Sequence, residues 1–338
     1  MKAIGYVASR PADSPDALFA FEAPTPVPGP RDLLVRVKAI SVNQVDTKVR
    51  MRRQGTAEAP VILGWDAAGV VEAVGADAGS FAVGDEVYYA GAITRPGTNA
   101  EFHLVDARIA ARKPRTLSFA EAAALPLTAL TAYESLFDRL RLPRGVADDK
   151  TVLLIVGAAG GVGSMAVQLA RRLASATIVG TASRPESIAW VKELGADHVI
   201  DHTKPLADEL KALGLGGAHR IFSITGTHQH WPQLVEALVP QGAICVIDDP
   251  AALDATLLKP KSGALAWESM FTRSMFETPD MDAQHRILSE VAGLVDEGLL
   301  RTTLGAHFGP ITPDNLRRAH LALESGRSIG KIVLEGWE

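Results

Sequence analysis

Seven consecutive residues, Gly157-Ala158-Ala159-Gly160-Gly161-Val162-Gly163, have the types and spacing to hold a phosphate. Glycine lets a backbone approach an anion closely. A helix that starts directly after a glycine turn also points unpaired N–H groups at that anion. In the usual G-x-G-x-x-G pattern the first glycine is here replaced by Ala158, while Gly160 and Gly163 keep the other two places. Ala159, Gly160, Gly161, Val162 and Gly163 are therefore the candidate phosphate contacts. A glycine cluster alone would equally suit a flexible loop.

The elements around the cluster decide between those readings. Val152–Val156 is an apolar, β-type run, and Met165, Leu169 and Leu173 recur at helical spacing. Strand, glycine turn and helix in that order open a dinucleotide-binding unit, with a pyrophosphate at the turn. The next strand, Ala176–Thr181, ends in Ala182-Ser183-Arg184. An NAD site would carry an acid about 20 residues past the glycines, to hold the ribose hydroxyls. None is present. Ser183 can donate to a 2′-phosphate, and the Arg184 guanidinium matches its charge and geometry. NADP(H) is the cofactor this predicts; the plainer alternative makes Arg184 a solvated residue ahead of Pro185.

Around this unit the chain has three regimes. Residues 1 to about 125 carry strand-like runs (LLVRVKAI, GVVEAVG, DEVYYA, AEFHLV) broken by Pro and Gly clusters, the pattern of a β-rich domain. From about 128 to 270, strands (TVLLIVG, TIVGT, HVI, RIFSIT, AICVID) alternate with helices (GGVGSMAVQLARR, RPESIAWVKELG, WPQLVEALVP), which predicts a parallel sheet with right-handed crossovers. The tail predicts helices over Gln284–Glu297 and Pro313–Ser325 and a last strand, Lys331–Glu335.

Composition narrows the class. The 338 residues suffice for two domains, and 47% hydrophobic content is ample for two cores. A net charge of −5 argues against nucleic acid or an acidic membrane as partner. No apolar run of about 18 residues could span a membrane, and the opening residues lack the apolar region of a secretory signal; a cytoplasmic location is expected. Cys245 is the single cysteine. It excludes an intrachain disulfide and sits in AICVI, where an inert core role is expected.

Six blocks, in order, carry a resemblance: Ser41-Val42-Asn43-Gln44-Val45-Asp46, Leu63 to Val71 (LGWDAAGVV), Val83-Gly84-Asp85-Glu86-Val87, Leu125 to Tyr133 (LPLTALTAY), the glycine loop, and Gly330-Lys331-Ile332-Val333-Leu334. On these the chain resembles the medium-chain dehydrogenase/reductase superfamily, and within it the zinc-free quinone oxidoreductase branch, also called zinc-type alcohol dehydrogenase-like. The resemblance implies an α/β protein. A GroES-like β-rich domain (1–127 with 271–338) would enclose a Rossmann domain, a doubly wound parallel sheet (128–270). It also implies a homodimer joined through Rossmann edge strands.

The departures bear on chemistry. Where zinc alcohol dehydrogenases place Cys, His and Cys ligands, this chain has Asn43, Trp65 and Leu127. Zinc needs several N, S or O donors, which Trp and Leu do not supply. The structural-zinc cysteines are absent, and nine scattered histidines, His228 and His230 among them, offer no third ligand. A zinc-free protein is expected. Without a Lewis acid, oxidation of a plain alcohol lacks a way to stabilise an alkoxide. Quinones and α,β-unsaturated carbonyls delocalise the charge of an incoming hydride themselves. The expected activity is thus NADPH-dependent reduction of a small hydrophobic quinone or enone. The other readings left open are an NADP(H)-binding sensor or structural protein, and an alcohol dehydrogenase.

By resemblance, further residues take candidate roles. Asn43 would hydrogen-bond near the nicotinamide or the substrate oxygen, or merely stabilise a turn. Asp46 would order the same loop, or cap it. Thr131 matches a threonine beside the nicotinamide. His202 flanks the adenosine end, or is solvated, and Ile247 lies where the carboxamide docks. Lys48 could polarise a carbonyl, although a surface lysine is the commoner outcome. Trp267–Met281, with Trp267, Met270, Phe271, Met275 and Phe276, reads as an apolar wall for substrate, a dimer contact or core. Tyr88 and Tyr89 read as core or as cleft residues. No residue stands out as a general acid.

Overall fold

The computed structural model describes residues 1–145 and 150–338. They fall into two compact units, Met1–Leu130 with Phe271–Glu338, and Thr131–Met270.

In the second unit, five apolar residues of Val152–Val156 are buried on both faces, as a central parallel strand requires. The sheet has the order His198–Ile200, Thr177–Thr181, Val152–Val156, Ala218–Ser223, Leu238–Val246, Ala264–Trp267, and every pairing is parallel. That order reverses direction between Val152–Val156 and Ala218–Ser223, giving the doubly wound Rossmann arrangement with its switch point at the end of Val152–Val156. One face is covered by a core in which Leu154, Val179 and Ile221 of the sheet meet Leu206, Leu210, Trp231 and Leu234 of helices. Thr181 is opposite Ile200, so the segments after these two strands leave the sheet side by side.

The first unit is organised by the eleven-residue strand Asp32–Val42. It pairs antiparallel with Lys331–Glu335, Asp66–Val74 and Phe102–Asp106 within a seven-stranded sheet. The last strand of the sequence thus lies inside the sheet, parallel to Leu304–His307 on its other side. Ser41 is opposite both Val333 and Asp66, which brings Lys331, two residues before Val333, to the same sheet face as Asp66. A three-stranded sheet, Phe19–Glu22, Lys2–Tyr6 and Val61–Ile62, completes the unit.

Three segments differ from expectation. The helix expected from Trp231 spans Thr227–Ala237. Its first turn, THQH, has no apolar period. The start is set instead by Asp248, whose carboxylate accepts from the Thr227 N–H at 2.9 Å. Ala264–Trp267 adds a sixth strand that four residues cannot announce by pattern. The Trp267–Met281 segment is not one wall: Trp267 and Phe276 are exposed, Met270 and Phe271 are buried, and Phe271–Met275 is a separate helix. Tyr88 and Tyr89 are core residues, fully buried.

Candidate functional site

Two polar assemblies stand out, one in each unit. In the Rossmann unit, Gly157 takes φ +84°, which turns the chain sharply out of its strand. The turn is held by the Gly157 N–H, which donates to Thr181 Oγ1 at 3.0 Å. A Cβ added at Gly163 would meet Gly157 O at 2.3 Å, so only glycine allows the helix Gly161–Leu173 to start this close to the strand. A Cβ at Gly160 would make only an ordinary contact, with Gly157 O at 3.6 Å. No side chain caps this helix, and no acid occupies its first turn. The N–H groups of Gly161, Val162 and Gly163 thus belong to an uncapped helix start suited to a pyrophosphate, with Ala159 and Gly160 in the turn itself.

At the end of the neighbouring strand, Ser183 is exposed, and Arg184 begins the helix Pro185–Glu193. Arg184 Nη1 lies 3.2 Å from Glu186, an ion pair open enough to water to be worth little. His202 follows the next strand over. Its ring meets that of His230 edge-on, with centroids 6.1 Å apart. Burial, then the neighbouring His202, holds the His230 imidazole below its usual range. The Ile247 N–H donates to Ser223 O at 3.3 Å, just past the strand end. These residues fit an NADP(H) molecule: an uncapped helix start for the pyrophosphate, and a hydroxyl and a guanidinium without a carboxylate at 182–184 for a 2′-phosphate. Thr131 is buried on the helix Pro126–Tyr133. Cys245 is buried too, and burial pushes its thiol up to about 12, which keeps it an unreactive thiol.

The first unit holds a buried charge cluster. Asn43 caps the helix Gln44–Arg52, and its N–H donates to Asp46 Oδ2 at 2.6 Å. Asp46 Oδ1 accepts from the Gly64 N–H at 2.9 Å, tying this helix to the loop before Asp66. Gly64 has φ +93°, and a Cβ there would lie 2.5 Å from Asn99. Asp66 accepts three bonds: from Asn43 Nδ2 (2.8 Å), from the Leu127 N–H (2.7 Å) and from Lys331 Nζ (3.1 Å). Lys331 Nζ also donates to Val42 O at 2.8 Å and to Asn43 Oδ1.

Asp66 and Lys331 thus form a buried ion pair, with the Asp46 carboxyl close enough to feel both charges. Burial pushes the Asp66 carboxyl up and the Lys331 ammonium down, while each holds the other toward its charged form. The bond pattern decides for the ion pair, since Asp66 meets only donors and Lys331 only acceptors. Asp46 is pushed up to about 7. Burial dominates and Asp66 adds repulsion, against the Asn43 and Gly64 N–H groups and the Lys331 charge. At its far end the same helix is fixed by Arg50, fully buried against His320 Nδ1 (2.7 Å) and Glu324. Burial, and then Arg50, push His320 down to about 3, so it stays neutral.

Asn43 and Asp46 are therefore brought together in this cluster, and Lys48 is half-buried on the same helix. Asp66 and Lys331 complete the cluster although the sequence marks neither as a site residue; the blocks Leu63–Val71 and Gly330–Leu334 are the signals that contain them. The cluster does not fit a catalytic zinc. Asn43 is bonded to Lys331 and Asp66, Trp65 Nε1 donates to Ala92 O at 3.3 Å, and Leu127 offers no side-chain donor atom. An ammonium already stands among them. Among the described residues, no group of three or more His, Cys, Asp or Glu is placed to hold a metal ion.

Comparison with known proteins agrees with this architecture. Residues 29–115 match the alcohol dehydrogenase GroES-like domain, and residues 161–266 match the zinc-binding dehydrogenase family. A zinc-type alcohol dehydrogenase-like protein of Staphylococcus aureus (strain MSSA476) is 38% identical over 99% of both chains. A solved Rhizobium etli CFN 42 protein, described as a candidate zinc-dependent alcohol dehydrogenase, is 54% identical. Its TM-score is 0.96, over 100% of this chain and 98% of that one. Escherichia coli quinone oxidoreductase in complex with NADPH is 25% identical, with a TM-score of 0.84 over 99% of this chain and 100% of that one. With a GroES-like domain, a Rossmann sheet and full-length relatives in common, the chain belongs to the medium-chain dehydrogenase/reductase superfamily of oxidoreductases.

Proposed function

We propose that this protein is an NADPH-dependent reductase that delivers hydride to quinones or α,β-unsaturated carbonyls without zinc. The observation that carries the reading is the cluster around Asn43. The places where a zinc enzyme of this superfamily has its ligands hold an amide, an indole and a leucine, with the Lys331 ammonium bonded to the amide. The likeness to a quinone oxidoreductase that binds NADPH supports the same substrate class.

The glycine turn and the uncapped helix start bind and orient the pyrophosphate, and Ser183 and Arg184 select the 2′-phosphate. The chemistry that a nucleotide held there would supply is hydride transfer from C4 of its reduced nicotinamide. A quinone or enone takes up the resulting charge as a hydroquinone anion or an enolate, and water supplies the proton. The protein's part is orientation and exclusion of water. No helix among the described residues is long and apolar enough to cross a membrane. The reading places the protein in the cytoplasm, and the outer edge of Ala264–Trp267, with Trp267 exposed, suits a homodimer contact.

The test is oxidation of NADPH, in parallel with NADH, against phenanthrenequinone, a benzoquinone, an enone and an aldehyde. Quinone or enone turnover with NADPH preferred is the expected result. Flat traces beside clear NADPH binding would instead favour a sensor.

A further inference from the structure

We infer that Lys331 is a positioning residue: it fixes the Asn43 amide in one orientation, so that Asn43 faces a substrate as a hydrogen-bond donor. The role of Asn43 toward substrate rests on the reductase reading above; the orientation itself rests on the bonds alone.

An asparagine side chain in isolation is ambiguous, because its oxygen and nitrogen can exchange places. Here the neighbours remove the ambiguity. The Lys331 ammonium has only donors, and the Asp66 carboxylate only acceptors. Oδ1 of Asn43 therefore faces Lys331, and Nδ2 faces Asp66 at 2.8 Å. The flipped amide would set N–H against NH₃⁺ and a carbonyl oxygen against a carboxylate.

Lys331 is itself immobilised. Its three N–H bonds go to Val42 O, Asn43 Oδ1 and Asp66 Oδ2, which uses all its donors. Its backbone N–H donates to Thr303 O at 2.8 Å, and Ile332 is opposite Val42 in the sheet, which sets the reach of the side chain. The second Nδ2 hydrogen of Asn43 has only Ser41 O, at 3.5 Å, the long limit of a hydrogen bond. Polarisation by the ammonium at Oδ1 strengthens that remaining N–H as a donor. A donor is the polarity an enolate or phenolate oxygen requires as hydride arrives at the conjugated carbon.

Two measurements decide this. The first needs no turnover: the Asn43 side-chain NH₂ signals, assigned by their loss in N43A, are followed by NMR hydrogen exchange. Slow exchange in the wild type and at least about tenfold faster exchange in K331M are expected. Equal exchange in both overturns the inference, whatever the activity. K331M leaves Asp66 without its counter-charge, so D66N/K331M, which removes both charges, is measured beside it in case K331M does not fold.

The second is a kinetic cycle on the quinone for which the wild type is active. N43A and K331M each lower kcat with KM for NADPH within about twofold. Because Lys331 acts through Asn43, N43A/K331M falls no further than N43A, and K331R recovers part of the loss. Losses that multiply, or a change confined to KM for NADPH, overturn it. Absence of wild-type turnover on every quinone and enone defeats the reductase reading, while the exchange result still decides the role of Lys331.

Discussion

Lys331 and Asp66 stand 265 residues apart in sequence and 3.1 Å apart in space, with side chains 4% and 0% exposed. The bond joins the last strand of the sheet to the strand beginning at Asp66, and Asn43 and Leu127 are bound to the same carboxylate.

Breaking that pair on one side strands a buried charge. K331M is expected to lose about 3–5 kcal/mol of stability in chemical denaturation, the usual cost of removing one buried partner. D66N/K331M, with no charge left behind, should be the more stable of the two. If K331M unfolds at the wild-type denaturant midpoint, the pair is not buried as described.

Asp46 makes stability depend on pH in a stated direction. Its native pKa of about 7 lies above the unfolded value of about 3.9. Between those values the native state holds the proton and the unfolded state does not, so this contribution is full below pH about 4 and is lost as pH rises toward 7. D46N removes the titration, and its stability should vary less than that of the wild type from pH 5 to 8. An unchanged slope would assign the pH dependence elsewhere.

The two glycines of the turn should fail differently. In G163A the new Cβ would lie 2.3 Å from a backbone oxygen, which predicts a loss of about 1–3 kcal/mol in stability. G160A adds a Cβ whose nearest neighbour, Gly157 O, is at an ordinary contact distance of 3.6 Å, so it should melt like the wild type while binding NADPH about tenfold or more weakly. Calorimetry on both variants checks the contrast.

Arg184 should discriminate between cofactors. R184A is expected to weaken NADPH binding by about 1–3 kcal/mol, the scale of a charge-assisted contact, and to leave NADH nearly unchanged. Titration of both cofactors by nucleotide fluorescence is the measurement. An equal loss for both would remove the 2′-phosphate from its role.

Protein purified without added metal should contain well below one equivalent of zinc by elemental analysis, and a chelator should leave NADPH-dependent turnover unchanged. Stoichiometric, tightly held zinc would revive the alcohol dehydrogenase reading.

The nucleotide unit could be read along the chain because its information is local. The strand Val152–Val156, the glycine turn and the helix through Leu173 lie within 22 residues, each with its own period. The terminal strand Lys331–Glu335 was as plain. The cluster around Asn43 is not, since its meaning is in pairing: Lys331 lies 288 residues from Asn43, and the strand pattern around it says nothing of its partners. Trp267–Met281 misled for the opposite reason. Five large apolar residues close in sequence suggest one surface, but the strand Ala264–Trp267 and the helix Phe271–Met275 send them to different burdens of burial.

The strand Lys331–Glu335 also sets an order of events during synthesis. Every strand of the Rossmann sheet lies between Val152 and Trp267, so that unit can close while the chain is still being made. Asn43, Asp46 and Asp66 leave the ribosome before that unit, and the Lys331 ammonium that Asn43 and Asp66 bind leaves after it. A chain that stops short of Lys331 would keep every strand of the Rossmann sheet and lack the ammonium that Asn43 and Asp66 hold.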